Sequence, residues 1–248
     1  MKPYGKANKN DMRDAEAIAE AVPRPSMRFG PVQDVAPQDI QALPRVRERL
    51  VTARTARVQE MRGLLAAYGM VVPQGMAKFR PALVSTLEAE HPQLPPRGQA
   101  LCHTLFAELG QLAVEVAYYQ DTLAALAEAH PVCHRWLTLP GLGPLTATVL
   151  MAAVADARVW KNGRPFAAWV GLVPTQYATG GQPRRLGISK RGDSYRRPLR
   201  IHGARATLRW ARTKADRRRQ GSRGLLARRG WNRTAVAVAN KHARIVWA

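Results

Sequence analysis

The chain has 248 residues, of which 46% are hydrophobic, so it carries enough apolar side chains for a folded core and lacks the composition of a disordered protein. Its 39 Lys and Arg residues outnumber 17 Asp and Glu residues and give a net charge of +22 at pH 7. No run of about 18 apolar residues is present, which excludes a membrane-spanning helix, and the polar segment 1–10 lacks the apolar centre of a secretory signal.

The positive charge is concentrated in the C-terminal part of the sequence. Between Arg184 and Ala248 there are 20 Lys or Arg residues and two acids, Asp193 and Asp216. Such a cluster indicates a polyanionic partner, with nucleic acid the first candidate and a ribosome-associated or merely basic protein the alternative. The cysteines at 102 and 133 form no CxxC pair, which is typical of reduced thiols in the cytosol and argues against a zinc site.

The first predicted element is a helix over residues Asp11–Val22, with Asp11 as its N-cap. Asp11 and Asp14 are three residues apart, so both carboxylates fall on one face of this helix. Carboxylate oxygens are the ligands that Mg²⁺ prefers, and the pair therefore predicts part of a magnesium site. The alternative is a solvated helix N-terminus, where acids are favoured by the helix dipole.

Two long helices with heptad-like apolar spacing are predicted in the middle of the chain. The first covers Gln38–Tyr68, and Pro44 is expected to kink it or to mark its start. The second includes Leu105–Leu126, where apolar residues recur at four- and three-residue intervals. The segment Gly69–Gly98 between them is interpreted as a loop-rich excursion because it contains five prolines. The two helices form either an antiparallel hairpin, which can serve as a dimerisation arm, or a pair of ordinary core helices.

A glycine-containing turn follows in the segment Leu139–Ala147. Gly141 and Gly143 precede a predicted helix, and glycines at a helix start allow backbone N–H groups to approach a DNA phosphate, as in helix-hairpin-helix modules. The alternative is a plain connection between two helices.

The segment Thr175–Arg200 is rich in glycine, Arg and Lys and is interpreted as a loop that holds nucleic-acid phosphates. The cations assigned to phosphate contacts are Arg184, Arg185, Lys190, Arg191, Arg196 and Arg197. The hydroxyls of Thr179 and Ser189 lie in the same segment, and either is a candidate to attack a phosphodiester while the arginines stabilise the developing charge. The alternative is a loop that positions phosphates without a covalent role. Helical patterns then resume over Ile201–Thr213 and Thr234–Trp247.

Several short strings, taken in order, resemble one protein family over essentially the whole chain. They are Lys2-Pro-Tyr-Gly-Lys-Ala-Asn-Lys-Asn-Asp11, Asp14-Ala-Glu-Ala-Ile18, Arg24-Pro-Ser-Met-Arg-Phe29, Gln38-Asp-Ile-Gln-Ala-Leu43, Arg62-Gly-Leu-Leu-Ala66, Pro140-Gly-Leu-Gly-Pro144, Gly171-Leu-Val-Pro174 and Leu186-Gly-Ile-Ser-Lys-Arg-Gly-Asp193. The family is that of the insertion-sequence transposases with an Asp-Glu-Asp-Asp acid set, in the 1111 subgroup of the insertion sequence 110 family.

The resemblance implies a particular architecture and chemistry. An N-terminal Holliday-junction-resolvase-like (RuvC-like) domain binds Mg²⁺ through the four acids, a helical coiled-coil region follows, and a C-terminal transposase domain supplies a serine nucleophile. DNA recombination in the family is guided by an RNA from the element itself. Asp11 and Asp14 match the last two acids, and the first two would lie upstream of where this chain begins, so the chain is expected to be truncated at both ends.

The sequence differs from the family pattern at the position of the nucleophile. The family has a Ser-Ser-Gly-Gly or Ser-Thr-Gly-Gly string, whereas this chain has Ala178-Thr179-Gly180-Gly181. Either Thr179 replaces the serine as a β-branched nucleophile, or the serine has become Ala178 and is lost.

The fold is therefore expected to be mainly α-helical. Residues 1–37 form a remnant of the α/β resolvase-like domain, 38–130 the helical coiled-coil region, and 131–248 the C-terminal transposase domain with the helix-hairpin-helix-like turn and the basic loop. The expected function is DNA binding and transposition in the bacterial cytoplasm, in association with the nucleoid, with Mg²⁺ as cofactor. The expected partners are DNA, an element-encoded guide RNA and further copies of the chain bound through the helical arms. Two alternatives stay open: a catalytically dead fragment that still binds DNA or RNA, and a remnant that does not fold stably because its sheet is incomplete.

Overall fold

The computed structural model describes residues 10–25, 27, 34–88, 94–154, 159–190, 192–211 and 217–248. The chain divides into two compact units, Met1–Asp34 and Val35–Ala248. The helices and strands, in chain order, are α1 (Asp11–Ala21), α2 (Val35–Ala67), α3 (Met76–Glu88), α4 (Pro96–Ala129), α5 (Pro131–Leu137), α6 (Pro144–Ala153), α7 (Gly163–Trp169), β1 (Pro174–Thr179), β2 (Gln182–Ile188), α8 (Arg196–Ala211) and α9 (Arg217–Trp247). The prediction of a mainly α-helical chain is confirmed. Across the described residues, no helix is long and apolar enough to cross a membrane.

The described part of the first unit contains α1. Its N-cap is Asn10, whose side-chain oxygen accepts a hydrogen bond from the Met12 amide at 2.9 Å. The prediction of Asp11 as N-cap is wrong by one residue, because the amide oxygen of Asn10 already satisfies the free N–H group at the second helical position. Asp11 and Asp14 lie in the first turn, and both side chains are exposed.

Helices α2, α3 and α4 pack around one apolar cluster in the second unit. Val58, Met61 and Leu65 of α2 meet Leu105 and Leu109 of α4 in this cluster. An ion pair of 2.5 Å joins Arg57 of α2 to Glu108 of α4. The end of α2 therefore meets the start of α4, while Gln41 near the start of α2 and Ala127 near the end of α4 both contact α6. The two long helices run antiparallel.

The prediction of a loop-rich segment over Gly69–Gly98 misses α3, which forms inside it around Pro81. Phe79, Leu83 and Leu87 recur every four residues and are buried in the same cluster. Burying three such side chains stabilises the helix by about 1.5–3 kcal/mol each. That sum exceeds the roughly 3 kcal/mol that an internal proline costs.

The interpretation of Pro44 as a helix start is also wrong, because α2 begins at Val35 and continues through the proline. Pro44 is buried, and its carbonyl oxygen accepts a hydrogen bond of 3.1 Å from the Tyr195 hydroxyl. This bond ties α2 to the segment that precedes α8.

A second apolar cluster forms the core of the C-terminal helices. It combines Leu150 of α6, Phe166 of α7, Leu208 of α8 and Ala239 of α9 with further small and aliphatic residues. Helix α9 is two helical pieces joined at Gly230, which has φ 74° and ψ 175°. The predicted helix Thr234–Trp247 is therefore the second piece of a longer element, which begins at Arg217.

The interpretation of Thr175–Arg200 as an irregular loop is wrong over its first half, where β1 and β2 pair as an antiparallel hairpin. The register pairs Pro174 with Ile188 and Thr179 with Gln182, with an irregularity between Pro174 and Gln176. In sequence, a hairpin is indicated by the adjacent Gly180 and Gly181 between two segments that contain β-branched and aromatic residues.

Candidate nucleic-acid interface

Thr179 lies at the tip of the hairpin. It is the last residue of β1 and faces Gln182 across a two-residue turn made of Gly180 and Gly181. These glycines have φ values of 60° and 76°, the left-handed combination that glycine adopts without strain and that suits the twist of a two-residue hairpin. Every residue of β1 is exposed, so the Thr179 hydroxyl is accessible to a substrate as large as a nucleic-acid backbone.

The predicted phosphate ligands on the hairpin and just after it are only partly described. Arg184 is exposed on β2 opposite Tyr177, whose side chain is 61% exposed. Lys190 is exposed and has φ 53°, an unusual conformation for a residue with a side chain. Arg185 pairs with Gln176 in the register, but its side chain lies outside the described part of the chain, and Arg191 lies outside it altogether.

Arg196 is held by the protein itself. Its Nε lies 3.1 Å from Asp193 Oδ2, and its guanidinium lies 5.1 Å from the centre of the Trp169 ring. Burial lowers the pKa of this guanidinium, while Asp193 opposes that shift. Asp193 also accepts a 2.7 Å hydrogen bond from the Tyr195 amide, so the group fixes the segment between the hairpin and α8. Arg197, the next residue, is half-buried on α8.

The two glycines of the predicted phosphate-binding turn have different surroundings. Gly141 has φ 86°, and a side chain there would collide with the Gly203 carbonyl oxygen and the Thr207 hydroxyl of α8. Thr207 also donates a 2.8 Å hydrogen bond to the Pro140 carbonyl oxygen. Gly141 is thus required by packing against α8, whereas Gly143 is the N-cap of α6 and has open space around it.

A groove of about 990 Å³ runs between β2 and α9. Most of its lining residues are apolar and include Leu172, Ile188 and Val236. The charged residues that line it are Arg229 and Arg233, which are exposed on either side of the Gly230 kink. Sequence patterns did not single out these two arginines, although both belong to the basic C-terminal cluster. Their place beside the hairpin is set by the packing of α9.

Comparisons with known proteins show the family. The sequence profile described as the transposase IS116/IS110/IS902 family matches residues 133–220. The whole chain aligns, at 46% identity, with 74% of a probable family 20 transposase of Pseudomonas aeruginosa. It aligns at 44% identity with 68% of the transposase for insertion sequence element IS1111A of Coxiella burnetii, and at 37% with 73% of the transposase for insertion sequence element IS1328 of Yersinia enterocolitica. This chain belongs to the insertion-sequence transposases of this family.

The residues matched by the transposase profile include the Gly141 turn, α6, α7, the hairpin and α8. Most of α9 lies beyond them. The groove between β2 and α9 is therefore formed partly by the profile-matched segment of this transposase and partly by the sequence that follows.

Asp11 and Asp14 are the carboxylates for which the sequence predicts a magnesium ion. Two exposed carboxylates three residues apart suit a single Mg²⁺ that keeps several waters and takes further oxygens from a substrate phosphate. Among the described residues, no three His, Cys, Asp or Glu side chains cluster, so the structure adds no third protein ligand to the pair. The pair therefore fits one metal ion and does not by itself make a two-metal site.

Proposed function

We propose that this transposase binds DNA through the hairpin together with the groove between β2 and α9, and that it exchanges DNA strands there. The proposal rests on the position of the hairpin, which holds the candidate nucleophile and also borders the groove. The hairpin that presents Thr179 at its tip also supplies, through β2, one wall of the groove that Arg229 and Arg233 border. A DNA strand in the groove would thus be bound next to the element that holds the candidate nucleophile.

The chemistry of the groove favours a nucleic-acid strand. None of the described residues that line it carries a negative charge, and its arginines suit phosphate oxygens. Its apolar lining residues suit the faces of bases and sugars. An unpaired or distorted strand exposes these faces. Asn232 and Asn240 of α9 add amide groups to the lining of the groove.

Thr179 is the proposed nucleophile. Its Oγ1 attacks a phosphorus atom of the DNA backbone, one P–O bond of the phosphodiester breaks, and the departing DNA oxygen takes up a proton. The products are a threonyl phosphodiester and a free DNA hydroxyl. Attack on that linkage by a hydroxyl of a second strand then reforms a phosphodiester and releases Thr179. The methyl group of threonine crowds Oγ1 more than serine would, so the reaction is expected to be slower than with serine.

Three further parts of the proposal rest on the family resemblance. Asp11 and Asp14 hold Mg²⁺, which when bound supplies a Lewis acid for phosphodiester chemistry. An RNA from the element directs the protein to its target. The antiparallel pair α2 and α4 serves as a coiled-coil arm that joins copies of the chain.

A second candidate function is a catalytically dead binder that holds DNA or RNA without exchanging strands. The string Ala178-Thr179-Gly180-Gly181 favours it, because serine is absent from both positions where the resemblance places one. The exposed basic residues of the hairpin and groove would serve such a binder equally well.

DNA binding tests the interface that both functions share. We would measure the affinity for a fluorescent element-end duplex as a function of salt, for the native protein and for the double variant Arg229→Gln/Arg233→Gln. Each lost phosphate contact reduces the slope of log K against log salt by about 0.9, so the double variant should lose about 2 units of slope.

The matched control is Arg49→Gln/Arg97→Gln, which removes the same charge from exposed positions at α2 and α4. It should retain nearly the native slope. Equal losses in both double variants would mean that the affinity reflects overall charge, and the groove would then not be the binding surface.

A further inference from the structure

Arg200 is a charged side chain within the apolar core of the C-terminal helices. On α8, Arg200, Ala204 and Leu208 follow each other every four residues, and all three are buried. The arginine is only 3% exposed. It therefore occupies a position where the helix pattern would otherwise place an apolar residue.

The guanidinium of Arg200 has no hydrogen-bond acceptor in the described part of the chain. Its Nε, Nη1 and Nη2 atoms are all buried and unpaired. The Phe166 ring lies 5.1 Å away and gives a cation–π contact, but a ring face satisfies none of these donors directionally. Burial, and next the positive charge of Arg196, lower the pKa of Arg200 to about 9, so the group is still charged at neutral pH.

Among the described residues, the surroundings of Arg200 lack a negative charge. It lines a narrow pocket with His242, the turn residues Gly141 and Leu142, and three aliphatic side chains, Leu150, Ala243 and Val246. None of these is an acid. Buried charges in proteins are normally paired, and an unpaired one is strongly unfavourable. A negative group is the component that this pocket requires.

We propose that Arg200 anchors a phosphate-binding site between the Gly141 turn and α9. The planar guanidinium can donate two parallel hydrogen bonds to phosphate oxygens, and His242 adds a further donor on the α9 side. The phosphate belongs to a nucleic-acid backbone or is free in solution. The site does not depend on the groove or on Thr179, since free phosphate alone would satisfy Arg200.

The pocket is narrow and leaves no space for a water molecule. Phosphate therefore enters by displacing Leu142, whose side chain is 6% exposed. The turn that carries Leu142 is held on α8 by the hydrogen bond from Thr207 to Pro140 and by the contact between Gly141 and Gly203. Loading of the site is thus coupled to movement of the segment just before α6.

The direct test follows the Nε–Hε signal of Arg200 by nuclear magnetic resonance, assigned by its loss in Arg200→Lys. Inorganic phosphate added at constant ionic strength should shift this signal saturably, whereas chloride should not. A duplex oligonucleotide that produces the same shift identifies a backbone phosphate as the ligand, and a shift with inorganic phosphate alone identifies free phosphate. If neither shifts the signal, the proposal is overturned.

Thermal unfolding gives a second readout with a matched control. Phosphate should raise the Tm of the native protein by about 3 °C more than it raises that of Arg200→Met. Arg209→Met removes an exposed arginine from the same helix and should keep the native response. In chloride alone, Arg200→Met should unfold at a higher temperature than the native protein, because an uncompensated buried charge is gone.

Two outcomes of the unfolding experiment contradict the proposal. An equal phosphate effect in both Met variants would show binding spread over the basic surface. A lower Tm of Arg200→Met in chloride would show that Arg200 is stabilised by a partner within the protein. If the native protein does not bind DNA, the proposed function is rejected. The effect of inorganic phosphate on the Arg200 signal and on the Tm would still test the phosphate site.

Discussion

Gly141 and Gly203 bring two backbone segments into direct contact, because a side chain on either glycine would overlap the carbonyl oxygen of the other. Gly203→Ala is therefore expected to lower the Tm by several degrees, since overpacking costs about 1–3 kcal/mol. Alanine is the better helix former by about 1 kcal/mol, so propensity alone predicts the opposite sign. Thermal unfolding decides between the two effects.

Gly110→Ala is the matched control, because Gly110 is also helical and has no atom near its missing side chain. It should raise the Tm slightly. If both alanine variants raise the Tm, the turn before α6 does not pack on α8 in solution as described.

His242 should make the protein less stable in mild acid. Burial, and next the charge of Lys241, lower its pKa from 6.5. The unfolded chain therefore takes up the proton first, and stability falls as the pH drops through about 6.5 towards the folded-state pKa. Arg200, the charged residue that shares the pocket, stays protonated over this range.

Unfolding of the native protein and of His242→Gln between pH 7.5 and pH 5 tests this dependence. The native protein should lose several degrees of Tm more than the variant does. His103→Gln, at an exposed position on α4, should behave like the native protein. Parallel curves for the native protein and His242→Gln would show that the histidine is not desolvated.

The hydrogen bond from Tyr195 to Pro44 should stabilise the packing of α2 on the C-terminal helices. Burial raises the pKa of Tyr195 to about 12, so the hydroxyl is neutral and able to donate over the physiological range. Tyr195→Phe leaves the Pro44 carbonyl without this partner and should cost about 1 kcal/mol, or about 2–4 °C in Tm. Tyr177→Phe, at an exposed hairpin position, should leave the Tm unchanged, and equal effects would refute the assignment.

The glycine turn at the hairpin tip should control activity more than stability. Gly180 has φ 60°, which asparagine tolerates and valine does not. Gly180→Asn should keep strand exchange close to the native rate, and Gly180→Val should reduce it at least about tenfold by displacing Thr179. Gly180→Asn should keep a nearly native Tm, whereas Gly180→Val should lower it by a few degrees, because the strain costs roughly 1–2 kcal/mol. Native activity in Gly180→Val would mean that the turn geometry does not position the reacting group.

Sequence periodicity predicts the helical parts of this fold well, because α2 and α4 each bury one regular apolar stripe. It fails at α3, where prolines indicate a loop. There the free energy gained by burying Phe79 and its neighbours exceeds the cost of a proline within the helix. The hairpin was predictable from its Gly-Gly turn, but the density of Arg and Gly favoured an irregular loop.

The site was harder to predict than the fold. Thr179 and Arg184 were accessible to sequence reasoning because glycine and basic residues surround them. Arg229 and Arg233 line the groove only through the packing of α9 on α7 and α8, which no local pattern encodes. The unpaired state of Arg200 depends on residues from α6, α7 and α9, and in sequence it is one arginine among many.

Strand exchange with purified protein, Mg²⁺, element-end DNA and the element's own RNA shows whether Thr179 is the nucleophile, when the native protein is compared with Thr179→Ala and Thr179→Ser. We expect a recombined product that Thr179→Ala abolishes and Thr179→Ser increases, together with a protein–DNA adduct that maps to residue 179. Salt-sensitive DNA binding without any product or adduct from the native protein would rule out Thr179 as a nucleophile and leave the catalytically dead binder as the function.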